Sequence, residues 1–334
     1  MPEGRPPTIK DVADRAGVSK SLVSLVMRGS AKVSEERRAA VVAAAAELGY
    51  RPNAVARSLV RQRSHVVGLM LSDIHNPYFA EVVDGVESAA ALGGYRALFN
   101  TGSRRPAAER EAMETLLELR VDGLVLAGPV LAVRDIAAAA RSVPLVLVAR
   151  ASRSVGFDSV TNDDRRGGAL AVEHLVALGH ERIAHISAGS GAGARSRRTG
   201  YERAMARAGL SSHIRVVSGS FTEEGGYEGM RRLLAGGERP TAVFVANDLA
   251  AIGALQAADD AGVAVPGDVS VVGYDNTALA ALGRIDLTTI DQPGAELGAM
   301  AVELLFERID GRVGDRHIVV TPSLVVRSTT GPPP

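Results

Sequence analysis

The sequence predicts a mixed α/β protein, with a small all-α helix-turn-helix head followed by two doubly wound α/β lobes. Three observations carry that expectation. The first 63 residues hold twelve Lys and Arg against six Asp and Glu, while the remainder is net −6, so a whole-chain charge of zero conceals a basic head on an acidic body. Within that head, two short helical patterns are separated only by a tight Gly17-Val18-Ser19 turn. From residue 65 onward, apolar runs of strand length alternate with helical periodicity, and the alternation occurs twice. Apolar runs between helices imply parallel sheets covered on both faces, and about 270 residues are more than one small core accommodates.

The head spans residues 1–50. Thr8 followed by Asp11 reads as an N-cap with an acidic partner three residues on, after which Ile9, Val12, Ala13 and Ala16 share a helical face. Gly17 stops that helix, because glycine enters the left-handed turn without steric cost. Ser19 caps the second helix, whose inward stripe is Leu22, Val23, Val26 and Met27 and whose outer side carries Lys20, Ser21, Ser24, Leu25 and Arg28. Ser34 caps a third helix, with Glu35 and Glu36 at its positive end, Val41, Ala45 and Leu48 inward and Gly49 as its stop. In a helix-turn-helix the second helix lies in the major groove with its N-terminal residues at the base edges. Lys20 and Ser21 are therefore the leading base contacts, and Arg28 is placed for phosphate. A basic module of this kind supplies the phosphate contacts on which DNA affinity depends.

Residues 51–63 form a basic amphipathic stretch after Pro52, either an exposed linker or a short helix. The body, residues 64–334, carries expected strands at 66–71, 95–100, 123–127, 145–149, 182–187, 215–217, 242–246 and 270–272. Two doubly wound lobes place a ligand cleft at the carboxyl ends of their strands. The candidates there are Ser72 and Asp73 after the first strand, Arg195 and Arg197 after the glycine-rich stretch 189–193, Asn247 and Asp248 after 242–246, and Asp275 after 270–274. For Asp248, capping the helix that begins at Leu249 competes with ligand contact.

Ordered motifs along the whole chain resemble the LacI/GalR family of bacterial transcription regulators. They run from Thr8-Ile9-Lys10-Asp11-Val12-Ala13, Ala16-Gly17-Val18-Ser19 and Leu48-Gly49-Tyr50-Arg51-Pro52-Asn53 through Asn76-Pro77-Tyr78-Phe79, Glu173-His174-Leu175 and Leu178-Gly179-His180 to Ala246-Asn247-Asp248, Val272-Gly273-Tyr274-Asp275 and Leu287-Thr288-Thr289-Ile290. The resemblance implies a core similar to periplasmic sugar-binding proteins, with chain crossings near 161, 291 and 322. The N-lobe is then about 64–161 and 292–322, and the C-lobe about 162–291 and 323–330. It implies that 51–63 is a hinge helix that folds in the minor groove, with Leu59 as the wedge and Ala56 allowing two hinge helices to approach. An apolar wedge costs unstacking, offset by bent DNA that wraps more protein. The DNA-facing set is thus Thr8, Ser19, Lys20, Ser21, Ser24, Leu25, Arg28, Tyr50, Asn53, Ala56, Arg57 and Leu59. The recognition helix departs from the family pattern: Leu22 and Leu25 replace a Thr and an Arg, removing the commonest guanine reader. Leu25 is set either to touch a thymine methyl or simply to pack.

By the same resemblance Asp275 binds effector hydroxyls, Arg197 is an effector-binding arginine, and Phe221 stacks on effector rings, with core packing as the alternative for Phe221 and Tyr78. The expected effector set is Ser72, Asp73, Tyr78, Phe79, Arg195, Arg197, Phe221, Asn247 and Asp275. Ala149 stands where many relatives carry Asp. Enzyme readings have little support: 189–193 lacks the full G-x-G-x-x-G spacing, no P-loop is present, the seven His lack metal spacing and there is no cysteine. The expectation is a DNA-binding repressor, not an enzyme, without cofactor or metal. It would bind double-stranded, near-palindromic operator DNA as a homodimer, answer to a sugar-like or nucleoside-like effector, use no membrane and work in the cytoplasm at the nucleoid. The competing reading is a solute-binding module without DNA function. The C-terminus lacks heptads, so no tetramerising coiled coil is expected.

Overall fold

The computed structural model describes residues 5, 7–27, 29–50, 63–152, 155–189 and 191–334. Expected DNA contacts Arg28, Asn53, Ala56, Arg57 and Leu59, and with them the hinge segment 51–62, lie outside these described residues. The chain parts into two compact units, Met1–Ser64 and His65–Pro334.

The first unit is three helices, α1 (Ile9–Ala16), α2 (Lys20–Met27) and α3 (Glu35–Glu47). Asp11 closes the start of α1 by accepting from the Thr8 backbone N–H at 2.7 Å and the Thr8 hydroxyl at 2.6 Å. Gly17 ends α1 at φ 65°, and the Ser19 hydroxyl accepts from the Leu22 N–H at 3.2 Å to cap α2. Ser34 occupies the N-cap position of α3, but its hydroxyl makes no cap bond; Glu35 and Glu36 in the first turn face the helix dipole instead. Val12, Ala13, Val23, Val26, Val33, Val41, Ala44 and Ala45 are the buried core. Leu25, expected on the outer side, leans against that core with Leu22 and Met27.

The second unit holds two six-stranded sheets. Strands β1 (Val66–Leu71), β2 (Arg96–Thr101), β3 (Gly123–Ala127), β4 (Leu145–Val148), β5 (Asp158–Asn162) and β11 (His317–Val320) form the N-lobe sheet, in the order β11-β5-β4-β3-β1-β2 with every pair parallel. Alternation decides which side each residue covers. Val67, Leu69, Leu71, Val125 and Ala127 meet helices α4 (Pro77–Leu92) and α11 (Gly294–Ile309), whereas Met70, Leu124 and Leu126 meet α5 (Pro106–Glu118) and α6 (Val133–Ala140). Strands β6 (Ile183–Ser187), β7 (Arg215–Ser218), β8 (Ala242–Val245), β9 (Ser270–Asp275), β10 (Thr288–Asp291) and β12 (Ser323–Val325) form the C-lobe sheet, ordered β12-β10-β9-β8-β6-β7, in which only β12 runs antiparallel. Its helices are α7 (Asp164–Ala177), α8 (Ala194–Arg207), α9 (Glu223–Leu234) and α10 (Asp248–Asp260). The chain passes between the sheets three times, after β5, after β10 and after β11.

Four strands, β5, β10, β11 and β12, were not among the expected ones. The sequence of β5 is Asp-Ser-Val-Thr-Asn, all of it buried, so no apolar run marks it. Asp158 and Ser159 are satisfied by distant partners, whereas the buried Asn162 Oδ1 has none among the described residues. Asp158 accepts from Arg308 at 2.6 Å, from Arg312 and from the Arg316 N–H at 2.8 Å, and Ser159 pairs with His317 Nδ1 at 2.9 Å. Glycines set how closely α7 and α8 approach: a Cβ on Gly168 would stand 3.0 Å from the Arg197 carbonyl carbon, and one on Gly200 3.0 Å from that of Arg165.

Candidate functional site

The carboxyl ends of both sheets border a narrow cavity, with about 40 Å³ of free volume and partly open to solvent. Its polar centre is Arg197, on the first turns of α8. That guanidinium is buried, meets Asp164 at 2.9 Å and Asp275 at 3.4 Å, donates to the Ala246 carbonyl at 2.6 Å and lies 3.6 Å from the centroid of the Tyr274 ring. Burial works against its charge, but Asp164, Tyr274 and Asp275 outweigh that and hold its pKa above the ordinary arginine value. The close approach of α7 and α8 permitted by Gly168 and Gly200 brings Asp164 to Arg197.

Asp275 ends β9 with φ 118°, a strained value for a non-glycine residue. It accepts from Gln292 Nε2 at 2.5 Å. Burial, with Asp248 nearby, pushes its pKa well above the carboxylate range against the opposing effect of Arg197 and Gln292. Asp248 behind it is pushed up to about 6, by burial above all, although Thr289 Oγ1 at 2.5 Å and the Thr277 N–H at 2.8 Å donate to it.

The N-lobe wall is less polar. Asn76 caps α4 by accepting from the Tyr78 N–H at 3.1 Å, which turns Tyr78 and Phe79 inward. The buried Tyr78 hydroxyl has no hydrogen-bond partner among the described residues, and burial followed by Asp275 raises its pKa well above the usual value. Ser72 donates to the buried Glu109 carboxylate at 2.7 Å, and Ala149 sits at φ 58°.

Of the expected effector residues, Ser72, Tyr78, Phe79, Arg197, Phe221 and Asp275 line this one cavity. Three do not. Asp73 turns back to accept from the His75 N–H at 2.9 Å, and Arg195 is exposed to solvent on the outer side of α8. Asn247 is buried as the N-cap of α10, accepting from the Ala250 N–H at 3.1 Å and donating to the Phe221 carbonyl at 3.3 Å, so it holds the aromatic residue from behind. The cap thus falls on Asn247, one residue before Asp248. Sequence reasoning missed Asn76, Arg104, Val130 and Gln292, all of which line the cavity. Asn76 heads the Asn-Pro-Tyr-Phe motif, and Gln292 immediately follows a strand end as Ser72 does; those were the available signals.

In the head, Ser19, Lys20 and Ser21 are exposed at the start of α2, whereas Thr8, Ser24, Leu25 and Tyr50 are half-buried. Tyr50 packs against the head core. The arrangement offers a cationic helix end to a nucleic acid.

Residues 8–53 match the family model for bacterial regulatory proteins of the lacI family, and residues 172–330 match that for a periplasmic binding protein-like domain. The HTH-type transcriptional repressor PurR of Photobacterium profundum is 36% identical over 327 residues, 96% of this chain and 98% of that protein. The ribose operon repressor of Escherichia coli is 39% identical over 328 residues, 96% of this chain and 99% of its own length. Among solved structures, the lac repressor dimer bound to operator and the anti-inducer ONPF aligns with a TM-score of 0.86 and 33% identity, covering 98% of this chain and 100% of that one.

Proposed function

Since this chain belongs to the lacI family of bacterial regulatory proteins and is a DNA-binding transcriptional repressor, we propose that it binds a near-palindromic operator as a homodimer and is governed by a small polyol held in the cavity between its lobes. The domains are the head 1–50, the hinge 51–63 and the core 64–334. The observation that carries the sensing half is the meeting of Arg197, Asp275 and Gln292 beside the Tyr78 hydroxyl, which is unpartnered among the described residues. A carboxylate that accepts and a guanidinium that donates suit a ligand rich in hydroxyls, each of which must be satisfied once buried. The names of the ribose operon repressor and of the lac repressor relatives agree with a sugar-like ligand.

Lys20 and Ser21 read base edges in this proposal, with Ser19, Ser24, Leu25, Thr8, Tyr50 and Arg28 alongside, and Asn53, Ala56, Arg57 and Leu59 act in the minor groove. Support for a second copy comes from exposed apolar residues: Leu98 and Phe99 on the edge strand β2 are 39% and 53% exposed, and Leu282 in the C-lobe is 51% exposed. A chromosome-binding repressor works in the cytoplasm. Among the described residues no helix is long and apolar enough to cross a membrane. Footprinting of the DNA around its own gene, with and without candidate polyols, tests the whole reading: protection of two related half-sites that a polyol alters is expected, and protection of one asymmetric half-site by a monomer overturns it.

A further inference from the structure

The cavity has a cation without an anion. Three charged side chains line it, and two of them, Arg197 and Asp275, meet each other. The third, Arg104, forms no ion pair among the described residues. It sits on the loop after β2 at φ 57°, anchored by its backbone N–H, which donates to the Ser72 carbonyl at 2.7 Å. From there its guanidinium crosses from the N-lobe to lie 5.0 Å from the centroid of the Phe221 ring in the C-lobe. Gly191 leaves the room for this: a Cβ there would stand 2.9 Å from Phe221 Cδ2 and 3.3 Å from Arg104 Nη2.

A guanidinium stacked on a ring uses its face and keeps its edge of N–H donors available. That edge matches a phosphate or carboxylate in a bidentate way. The other acid near this loop, Glu109, is already satisfied by Ser72 and by the N–H groups of Val130 and Leu131 at 2.7 and 3.1 Å. Arg104 is thus the charge on the wall with no counterpart among the described residues.

We propose that the effector is an anionic polyol, whose hydroxyls meet Asp275, Gln292 and Arg197 and whose phosphate or carboxylate group meets Arg104. The inference rests on the reading of this cavity as the effector site. Arg104 is then the residue that selects the charged ligand over its neutral parent.

Titration calorimetry on the full chain with matched pairs tests it: ribose and ribose 5-phosphate, glucose and glucose 6-phosphate, glucose and gluconate, with inorganic phosphate as a further probe. At least one charged member is expected to bind about tenfold or more tighter than its parent, and Arg104→Gln to bring that ratio near one, with Arg104→Lys restoring part of it. The preference is expected to shrink as salt rises from about 50 to about 300 mM. The proposal is overturned if no charged probe is preferred, if the ratio survives Arg104→Gln, or if inorganic phosphate alone binds as tightly as the best sugar phosphate. Asp275→Asn separates this from the underlying reading: loss of neutral and charged ligands together supports the cavity as the effector site, whereas polyol binding that survives it refutes that site whatever Arg104 does.

Discussion

Replacing Gly200 by alanine sets two effects of opposite sign against each other, and the structure says which wins. Alanine in a helix interior is favoured over glycine by about 1 kcal/mol. The added Cβ, however, would stand 3.0 Å from the Arg165 carbonyl carbon and 3.1 Å from the Ala169 nitrogen, and closer still to the Arg165 oxygen. All three are backbone atoms of α7, so no rotamer change relieves the contact, and non-bonded carbons prefer about 3.5–4.0 Å. Helices α7 and α8 must therefore part by roughly 0.5–1 Å, with an overpacking cost of about 1–3 kcal/mol that exceeds the gain in propensity. Arg197 lies one turn before Gly200, so the same movement carries its guanidinium away from Asp164 and lengthens its 3.4 Å contact with Asp275. The expected result is a lower urea midpoint together with an effector affinity reduced about tenfold. Gly283→Ala is the control, because its Cβ would meet nothing within 4 Å. A raised midpoint for Gly200→Ala, or a lowered one with effector binding intact, would refute the argument.

Other outcomes follow from the same geometry. Asp158→Asn removes the negative charge shared by Arg308 and Arg312 in a buried network and turns one of its two acceptor oxygens into a donor, and should cost about 3–5 kcal/mol in urea unfolding with the head still helical by circular dichroism. His185 is buried with its pKa lowered to about 4 by burial, against an ordinary 6.5. The folded state therefore binds fewer protons than the unfolded state between those values, so stability is present above pH 6.5 and is lost as pH falls toward 4, by about 3 kcal/mol in all. His185→Gln should lack that slope, so the difference in stability between the two proteins should change with pH between about 4 and 6.5, and a pH-independent difference would contradict it. Lys20→Ala should weaken binding to the operator more than to random DNA in filter-binding assays and relax specificity at the base pair it reads. Phe221→Ala should leave operator affinity without effector intact and abolish the response to effector in the same assay.

Legibility from sequence followed how locally each feature is determined. Strands β1, β3, β4 and β8 announce themselves as apolar runs because both faces of their sheets are covered, whereas β5 and β10 bury Asp158, Thr288 and Thr289 against the partners Arg308, Arg327 and Asp248, none of them local in sequence. The start of α2 was readable from Gly17 and Ser19, since capping is a matter of neighbouring residues. The cavity was readable where a residue directly follows a strand, as with Ser72, or closes one, as Asp275 does. It was not readable for Arg104, whose significance depends on a ring more than a hundred residues away, nor for Arg195, since neighbouring positions on a helix point in different directions.

The three passages of the chain between sheets also set a timetable for synthesis. Every element of the C-lobe except the edge strand β12 lies between residues 164 and 291 and leaves the ribosome as one continuous stretch. The N-lobe begins earlier and finishes later, because α11, which covers Val67, Leu69, Val125 and Ala127, and the strand β11 follow residue 293. The lobe whose first strands are made first is thus the second to close, the reverse of the usual N-terminal-first order. During translation of roughly 130 residues, one apolar side of its sheet is covered by α4 alone and lacks α11. A nascent chain stalled before Gly294 should consequently expose a protease-sensitive N-lobe beside an already resistant C-lobe.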